Sequence, residues 1–398
     1  MEVAAPGSSP RSRRILPAIV AAQFAGTSLW FAGNAVLPDL QRDWGLHASA
    51  LGTLTSAVQL GFIAGTLVFA FLALADRFSP RRVYLAASLA GAGVNLLATA
   101  ASGLELLVVL RFLAGFTLAG IYPVGMKIAS GWYREGLGRA MGYLVGALVV
   151  GTALPHLIKA LGGALPWQAV MASVSLVAAA GGCLMYLAVP DGPYLGPSAR
   201  FDPRALGAVF ASPRFRASAF GYFGHMWELY AFWAFVPVAL AAHAALQGVV
   251  LEVSLWTFVI IAAGFAGCAA GGLASLRLGS APVAAGQLAF SGLCCLVSPL
   301  AFFAPTPLYV AFLVAWGVAV VGDSPQFSTL NAQNAPREGV GAALTIVNCI
   351  GFAITIPAIE LLNALATRIP VQWLFVVLAA GPALGLLALR PLLSRSRG

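Results

Sequence analysis

Charge is what this chain has least of. Only 9% of its 398 residues are charged, and just two of these are lysines, Lys127 and Lys159. A soluble domain carries about 25% charge. So few charges cannot cover a soluble fold of this length; lipid facing most of the surface explains the shortage. Hydrophobic residues make up 60% of the chain and lie in continuous apolar runs. Barrel strands would alternate apolar and polar with a period of two. The fold class expected is therefore an all-α integral membrane protein.

Other absences narrow the function. Met126 precedes Lys127 and Ile158 precedes Lys159, so there is no Gly-Lys phosphate loop for ATP. The four histidines, His47, His156, His225 and His243, form no H-E-x-x-H, and no G-x-S-x-G elbow occurs. No enzymatic activity is expected. The five cysteines, Cys183, Cys268, Cys294, Cys295 and Cys349, sit inside apolar runs without C-x-x-C spacing. They read as small packing residues, and neither a metal nor a cofactor is expected.

A spanning helix needs about 20 apolar residues. Twelve stretches qualify, at 15–40, 49–75, 83–102, 104–128, 139–160, 165–189, 215–241, 248–275, 281–304, 306–329, 339–363 and 370–393. Turn residues punctuate them: Pro38-Asp39, Ser79-Pro80, Pro190-Asp191-Gly192-Pro193, Pro305-Thr306-Pro307 and Pro336-Arg337-Glu338-Gly339. Arg11, Arg13 and Arg14 ahead of the first run resemble a signal peptide. That run is long enough to span and more spans follow, so no cleavage is expected.

The net charge of +9 invites a nucleic-acid reading, but its placement is a topology signal. With both termini cytoplasmic, only Arg42, Lys159 and Arg368 fall outside, and Arg111 and Lys127 fall within spans. The remaining seventeen of the 22 basic residues are then cytoplasmic. Nucleic acid is not an expected partner; the lipid bilayer is. The expected location is the cytoplasmic (inner) membrane.

The chain repeats itself. Leu72 to Arg82 ties a charged turn, with Asp76, Arg77, Arg81 and Arg82, to the end of one apolar run. A second copy without the acid runs from Gly272 to Ser280, where Arg277 answers Arg77 and Gly279 answers Ser79. Leu29-Trp30 matches Leu229-Tyr230, Pro38 matches Pro237, and Gly151 to Pro155 matches Gly351 to Pro357 with a slip of two. The longest piece outside the spans, with Arg200, Arg204 and Arg214, divides six spans from six. The expected domains are an N-terminal bundle at 1–189, a cytoplasmic loop at 190–214 and a C-terminal bundle at 215–398. Six-span repeats about an axis along the membrane normal typify one class of secondary transporter.

Asp76-Arg77-x-Ser79-x-Arg81-Arg82 resembles the loop motif between spans two and three of the major facilitator superfamily, with Leu72 and Ser79 where glycines are usual. Arg111-x-x-x-Gly115 followed by Ala119-Gly120 resembles that family's fourth-span motif. The resemblance covers nearly the whole chain. It implies twelve transmembrane helices in two pseudo-symmetric six-helix bundles. It also implies that Asp76 sits near the start of span eleven, around Gly339 to Ala342. Arg139 is a candidate partner there, and the pair would latch the halves. In the fifth span, Gly142, Gly146, Gly151 and Pro155 lack the Gly-Pro pair usual in drug–proton antiporters. Gly146-Ala147-Leu148 and Gly351-Phe352-Ala353 lack the nitrate-transporter cluster.

Ionisable residues inside a bilayer cost at least ~2.5–3.5 kcal/mol each and are functional candidates by default. Arg111 reads as an anion-binding or proton-relay cation, or else as a salt-bridged or snorkelling one. His225 and Glu228, three apart, share a face of span seven. A carboxyl there can take up and release a proton as a cavity opens to either side; the plainer role is an interhelical hydrogen bond. Candidate cavity residues are Arg111, Gln23, Trp30, Asn34, Gln59, Tyr122, Trp227, Tyr230 and Asn348, each of which also suits helix–helix glue. Asp76, Arg77, Arg81, Arg139 and Asp323 read as gating residues, as does Lys127. Pro123, Pro155, Pro237 and Pro357 are candidate kinks.

The expected function is alternating-access transport of a small solute, an organic anion or zwitterion, coupled to protons through Glu228 with His225 and Arg111. A monomer is expected. The alternatives are proton-driven efflux of amphipathic compounds and a lipid-moving or sensory role.

Overall fold

The computed structural model describes residues 10–133, 137–163, 165–196, 210–335 and 340–393. Twelve helices are long and apolar enough to cross a membrane. They are α1 (Arg14–Trp44), α2 (Ala50–Phe71), α3 (Pro80–Ala100), α4 (Leu104–Trp132), α5 (Leu137–Gly162) and α6 (Trp167–Ala188) in one half. The other half has α7 (Pro213–Gln247), α8 (Val253–Leu278), α9 (Ser280–Ala301), α10 (Thr306–Asn334), α11 (Val340–Leu365) and α12 (Val371–Leu393). No strand occurs among the described residues. An even number of crossings puts both ends of the chain on one face, the termini face. Arg42, Lys159 and Arg368 stand at helix ends on the opposite, far face. Much of the expected central loop, 197–209, lies outside the described residues.

Several helices outrun their apolar stretches because their charged ends find partners. α1 continues to Trp44, where Asp39 pairs with both Arg42 and Lys159 of α5. α4 continues to Trp132, and its Lys127 pairs with Asp76 beyond the end of α2. Of the four candidate prolines, only Pro123 lies at a break. α5, α7 and α11 run unbroken through Pro155, Pro237 and Pro357. α1 breaks between Thr27 and Ala32, α4 between Leu118 and Tyr122, and α10 at Asp323. Pro123 and Pro325 stand in the first turn after a break, where a missing N–H leaves no donor unused.

The repeat is written in the packing. A Cβ on Gly115 would stand 2.1 Å from the Val58 carbonyl, and one on Gly317 would stand 2.1 Å from the Ile260 carbonyl. A Cβ on Gly65 would stand 2.4 Å from the Phe116 carbonyl, and one on Gly267 would stand 1.8 Å from the Val318 carbonyl. A shift of 202 residues carries each contact onto its counterpart. Hence α2 crosses α4 as α8 crosses α10, with backbones in contact where only glycine fits. The halves meet where α2 packs on α11 and α5 packs on α8.

Candidate functional site

The seam between the halves is lined with rings. Trp30 of α1 faces Phe62 of α2 at 4.9 Å, Tyr230 of α7 at 5.6 Å and Phe352 of α11 at 5.5 Å between centroids. Phe62 and Phe352 meet across the seam at 4.4 Å, and Phe31 approaches Tyr230 and Trp233. The Trp30 indole N–H donates to Gln59 Oε1 at 3.3 Å, while Gln59 Nε2 and Trp233 Nε1 are buried donors without a partner among the described residues. Trp30, Gln59 and Tyr230 are thus gathered at the seam. Nearby, the Tyr222 hydroxyl donates to Asn348 Oδ1 at 3.2 Å. Tyr122, half-buried on α4, lies within electrostatic range of Tyr222 and Tyr230.

Three other cavity candidates find their neighbours outside this group of rings. Asn34 donates to Thr55 within its own half at 2.8 Å. Gln23 is fully buried against Gly125 of α4, and neither amide atom has a partner among the described residues. Trp227 donates to the Val377 carbonyl at 3.4 Å and packs on α12.

Glu228 lies 1% exposed inside the C-terminal half, on α7. Its Oε1 accepts from Trp316 Nε1 at 2.8 Å, from Ser291 Oγ and from Cys295 Sγ at 3.4 Å. These donors sit on α9 and α10, and none is charged. His225 and Asp323 are also 1% exposed, with His225 Nδ1 2.8 Å from Asp323 Oδ1. Asp323, read from the sequence among the gating residues, therefore belongs with His225 in the interior. Its backbone sits at the break of α10, which is how a helix end meets the side of α7. Among the described residues no three His, Cys, Asp or Glu side chains are close enough to hold one metal ion.

Arg111 occupies the corresponding niche of the N-terminal half. It donates to Asn95 Oδ1 of α3 at 2.8 Å and to the Leu29 carbonyl of α1 at 3.0 Å. The break in α1 leaves that carbonyl free for it. Gly33 lies against the arginine stem, 3.0 Å from Arg111 Cδ to a Cβ built there. Asn95 is held in turn by donating to the Met171 carbonyl and to Ser175. Arg111 is 1% exposed and makes no ion pair among the described residues.

On the termini face, Asp76 pairs with Lys127, and Arg77 and Arg139 are exposed. Of the expected neighbourhood of Asp76, Gly339 lies outside the described residues, Val340 to Ala342 open α11, and the ion pair that Asp76 makes is to Lys127 of α4. Arg81 lies 3.8 Å from Asp191, donates to the Tyr186 carbonyl at 3.4 Å and stands 5.3 Å over the Tyr186 ring. Ser79 donates to Asp191 at 2.8 Å. The chain leaving α6 is thereby fastened to the charged turn. Backbone strain sits in that turn at Ala73, with φ 49°, whereas the second turn bends at Gly279, with φ 83°.

Sequence reasoning missed Phe62, Phe352, Asn95, Ser291, Trp316 and Glu360. Aromatic and hydroxyl side chains in apolar runs carry no distinguishing pattern. Glu360 did carry one, since a lone acid in a span is the signal that marked Glu228.

The family model described as Major Facilitator Superfamily matches residues 19–359. A stretch of 145 residues is 30% identical to the 4-hydroxybenzoate transporter PcaK of Pseudomonas putida, covering 33% of this chain and 32% of that one. A stretch of 213 residues is 28% identical to the putative uncharacterized transporter YgaY of Escherichia coli (strain K12), covering 50% of this chain and 51% of that one. The chain thus spans about a third to a half of the length of these curated relatives. A solved structure of the nucleoside transporter NupG superposes with a TM-score of 0.70 at 12% identity, over 95% of this chain and 99% of that one. At that identity the likeness is one of fold.

Proposed function

This chain belongs to the major facilitator superfamily, and on that premise we propose that it is a proton-coupled secondary transporter of a small organic anion, working by alternating access. The observation that carries the reading is Glu228, an acid enclosed at the middle of a spanning helix by neutral donors alone. A carboxylate fixed in charge there would be costly to carry through the bilayer, and a proton removes that cost. The three donors converge on Oε1, so Oε2 is the oxygen a proton would occupy. Charge counting supports the same view. Glu228, Asp323 and His225 are buried in one half, whose described arginines, Arg214, Arg216, Arg277, Arg368 and Arg390, all lie at or near helix ends. With His225 protonated against Asp323, one further proton makes the group neutral.

The rings at the seam favour a planar solute, since offset and edge-on ring contacts add to area burial. An aromatic carboxylate is the first class to test, in keeping with the relatives named as 4-hydroxybenzoate transporters. Its carboxylate would meet neutral donors, with Gln59 Nε2 unpartnered and Tyr222 near by. Arg111 would act one layer behind, holding the Leu29 carbonyl and with it the orientation of Trp30. Asp76, Arg77, Arg81 and Arg139 would act at the termini face as the gating charges. The arginine-rich termini face is assigned to the cytoplasm, and the membrane to the cytoplasmic one.

The test is uptake of labelled 4-hydroxybenzoate and related aromatic carboxylates into vesicles holding the purified chain, with a pH difference across the membrane. Saturable accumulation that collapses with the pH difference is expected. Accumulation that ignores the pH difference would remove the proton. Absence of any flux, together with no thermal stabilisation by any of the acids, would favour the sensory alternative.

A further inference from the structure

The two halves are also joined by a polar tier at the far face, above the rings. Ser49, Gly52 and Ser56 lie on one face of the α2 end, spaced three and four apart. Opposite them, three apart on α11, stand Glu360 and Asn363. Ser56 Oγ donates to Glu360 Oε1 at 2.7 Å. Asn363 Nδ2 donates to the Ser49 carbonyl at 3.1 Å and lies 3.4 Å from Glu360 Oε2. Gly52 lets the helices close: a Cβ there would stand 2.6 Å from the Asn363 amide.

We propose that Glu360 is the gate residue of the far face, its carboxylate anchored to Ser56 and Asn363 only while that side of the seam is shut. The chemistry suits a reversible seal. Glu360 makes no ion pair among the described residues. Of the far-face cations, Arg42 and Lys159 are both committed to Asp39, and Arg368, eight residues beyond Glu360, makes no ion pair with it. A carboxylate held only by a hydroxyl and an amide keeps strong hydration as its alternative. Opening the seam exchanges those two neutral donors for water, a nearly balanced trade. A buried salt bridge would be far harder to break. The apolar tier beneath, Phe62 against Phe352, closes only if α2 and α11 are brought together above it. Glu360 is therefore a positioning residue for the seam, acting through Ser56 and Asn363 and not on the solute. The inference builds on the alternating-access reading, but its first test needs no solute.

Gln59, on α2 below the tier, is fully buried. A Gln59→Cys chain in right-side-out membranes is treated with a membrane-impermeant maleimide, and labelling above that of the parent chain is followed. Adding Glu360→Ala or Ser56→Ala should raise the labelling rate severalfold, and Glu360→Gln, which still accepts from Ser56, should restore the shielding. Equal rates in all four chains would overturn the proposal, as would Gln behaving like Ala. The second arm uses Gly52→Cys with Asn363→Cys. Their Cβ atoms would start 2.9 Å apart, within a small shift of the ~3.8 Å of a disulfide. Oxidation should stop flux and reduction should restore it. Flux through the oxidised pair would show that transport does not require this seal to open and would overturn the proposal. If the parent chain moves no solute, the transport reading fails, yet the labelling arm still decides whether Glu360 holds the seam.

Discussion

The same niche is built twice in this molecule and filled with opposite charges. In the N-terminal half, between α1, α3 and α4, Arg111 donates to Asn95 and to the Leu29 carbonyl. In the C-terminal half, between α7, α9 and α10, Glu228 accepts from Ser291, Cys295 and Trp316. Leu29 and Leu229 stand 200 residues apart, as do Asn95 and Cys295. The helix crossings repeat, but the charged residue stands on α4 in one half and on α7, the counterpart of α1, in the other. The difference has a chemical meaning. A guanidinium holds its charge at any pH a cell meets, so the first niche can only position. A carboxyl can exchange a proton, so only the second can couple. The proposed division of labour, structural cation in one half and proton carrier in the other, rests on that asymmetry.

The strongest way to break the comparison is Glu228→Gln. Size and hydrogen bonding persist while titration is lost. Exchange of labelled solute should survive, but accumulation driven by a pH difference should fall to none. Full accumulation by this variant would make the second niche structural like the first, and leave Asp323 as the next candidate carrier.

The repeat itself is tested by adding a methyl group at matched crossings. Gly115→Ala and Gly317→Ala each drive a Cβ into a backbone carbonyl that stands 2.1 Å away. Separating packed helices should cost ~3 kcal/mol or more in each case, read as a fall in the melting temperature in detergent. Unequal losses would show that the two crossings carry different loads.

A finer cut compares the partners of the two charges. Asn95→Leu strands a cation that cannot neutralise itself, and hydrogen bonds to charged groups contribute about 1.5–3 kcal/mol. Ser291→Ala leaves Glu228 with two other donors and the option of a proton, so a loss of roughly 1 kcal/mol or less is expected. Equal losses in thermal or denaturant unfolding would contradict a permanent charge facing a titratable one.

The smallest expected effect concerns the matched turns. Gly279 uses φ 83° with ψ 159°, a region essentially restricted to glycine, so Gly279→Ala should cost about 1–3 kcal/mol. Ala73 at φ 49° is left-handed without being glycine. Ala73→Gly should relieve strain, offset by chain entropy, for a net change within about 1 kcal/mol. A clear loss there would mean that the alanine methyl packs usefully against the charged turn.

Much of this protein follows from chain composition alone. Runs of about 20 apolar residues have one low-energy home, a helix across lipid. Twelve spans, the six-plus-six division and the doubled turn were therefore legible, as were Arg111, His225, Glu228 and Asp323 as buried ionisable groups. Partition into lipid depends on each stretch by itself, which is why one dimension was enough. Which group meets which was decided only in three dimensions. His225 pairs with Asp323 and not with its helical neighbour Glu228, because the break in α10 brings a chain end to the side of α7. Arg111 turns inward to Asn95, because the break in the middle of α1 offers it a carbonyl. Ser56 meets Glu360 across 304 residues, because Gly52 lets two helices close. No local pattern encodes such meetings. They arise from close-packed helices leaving few places where a polar atom can be satisfied.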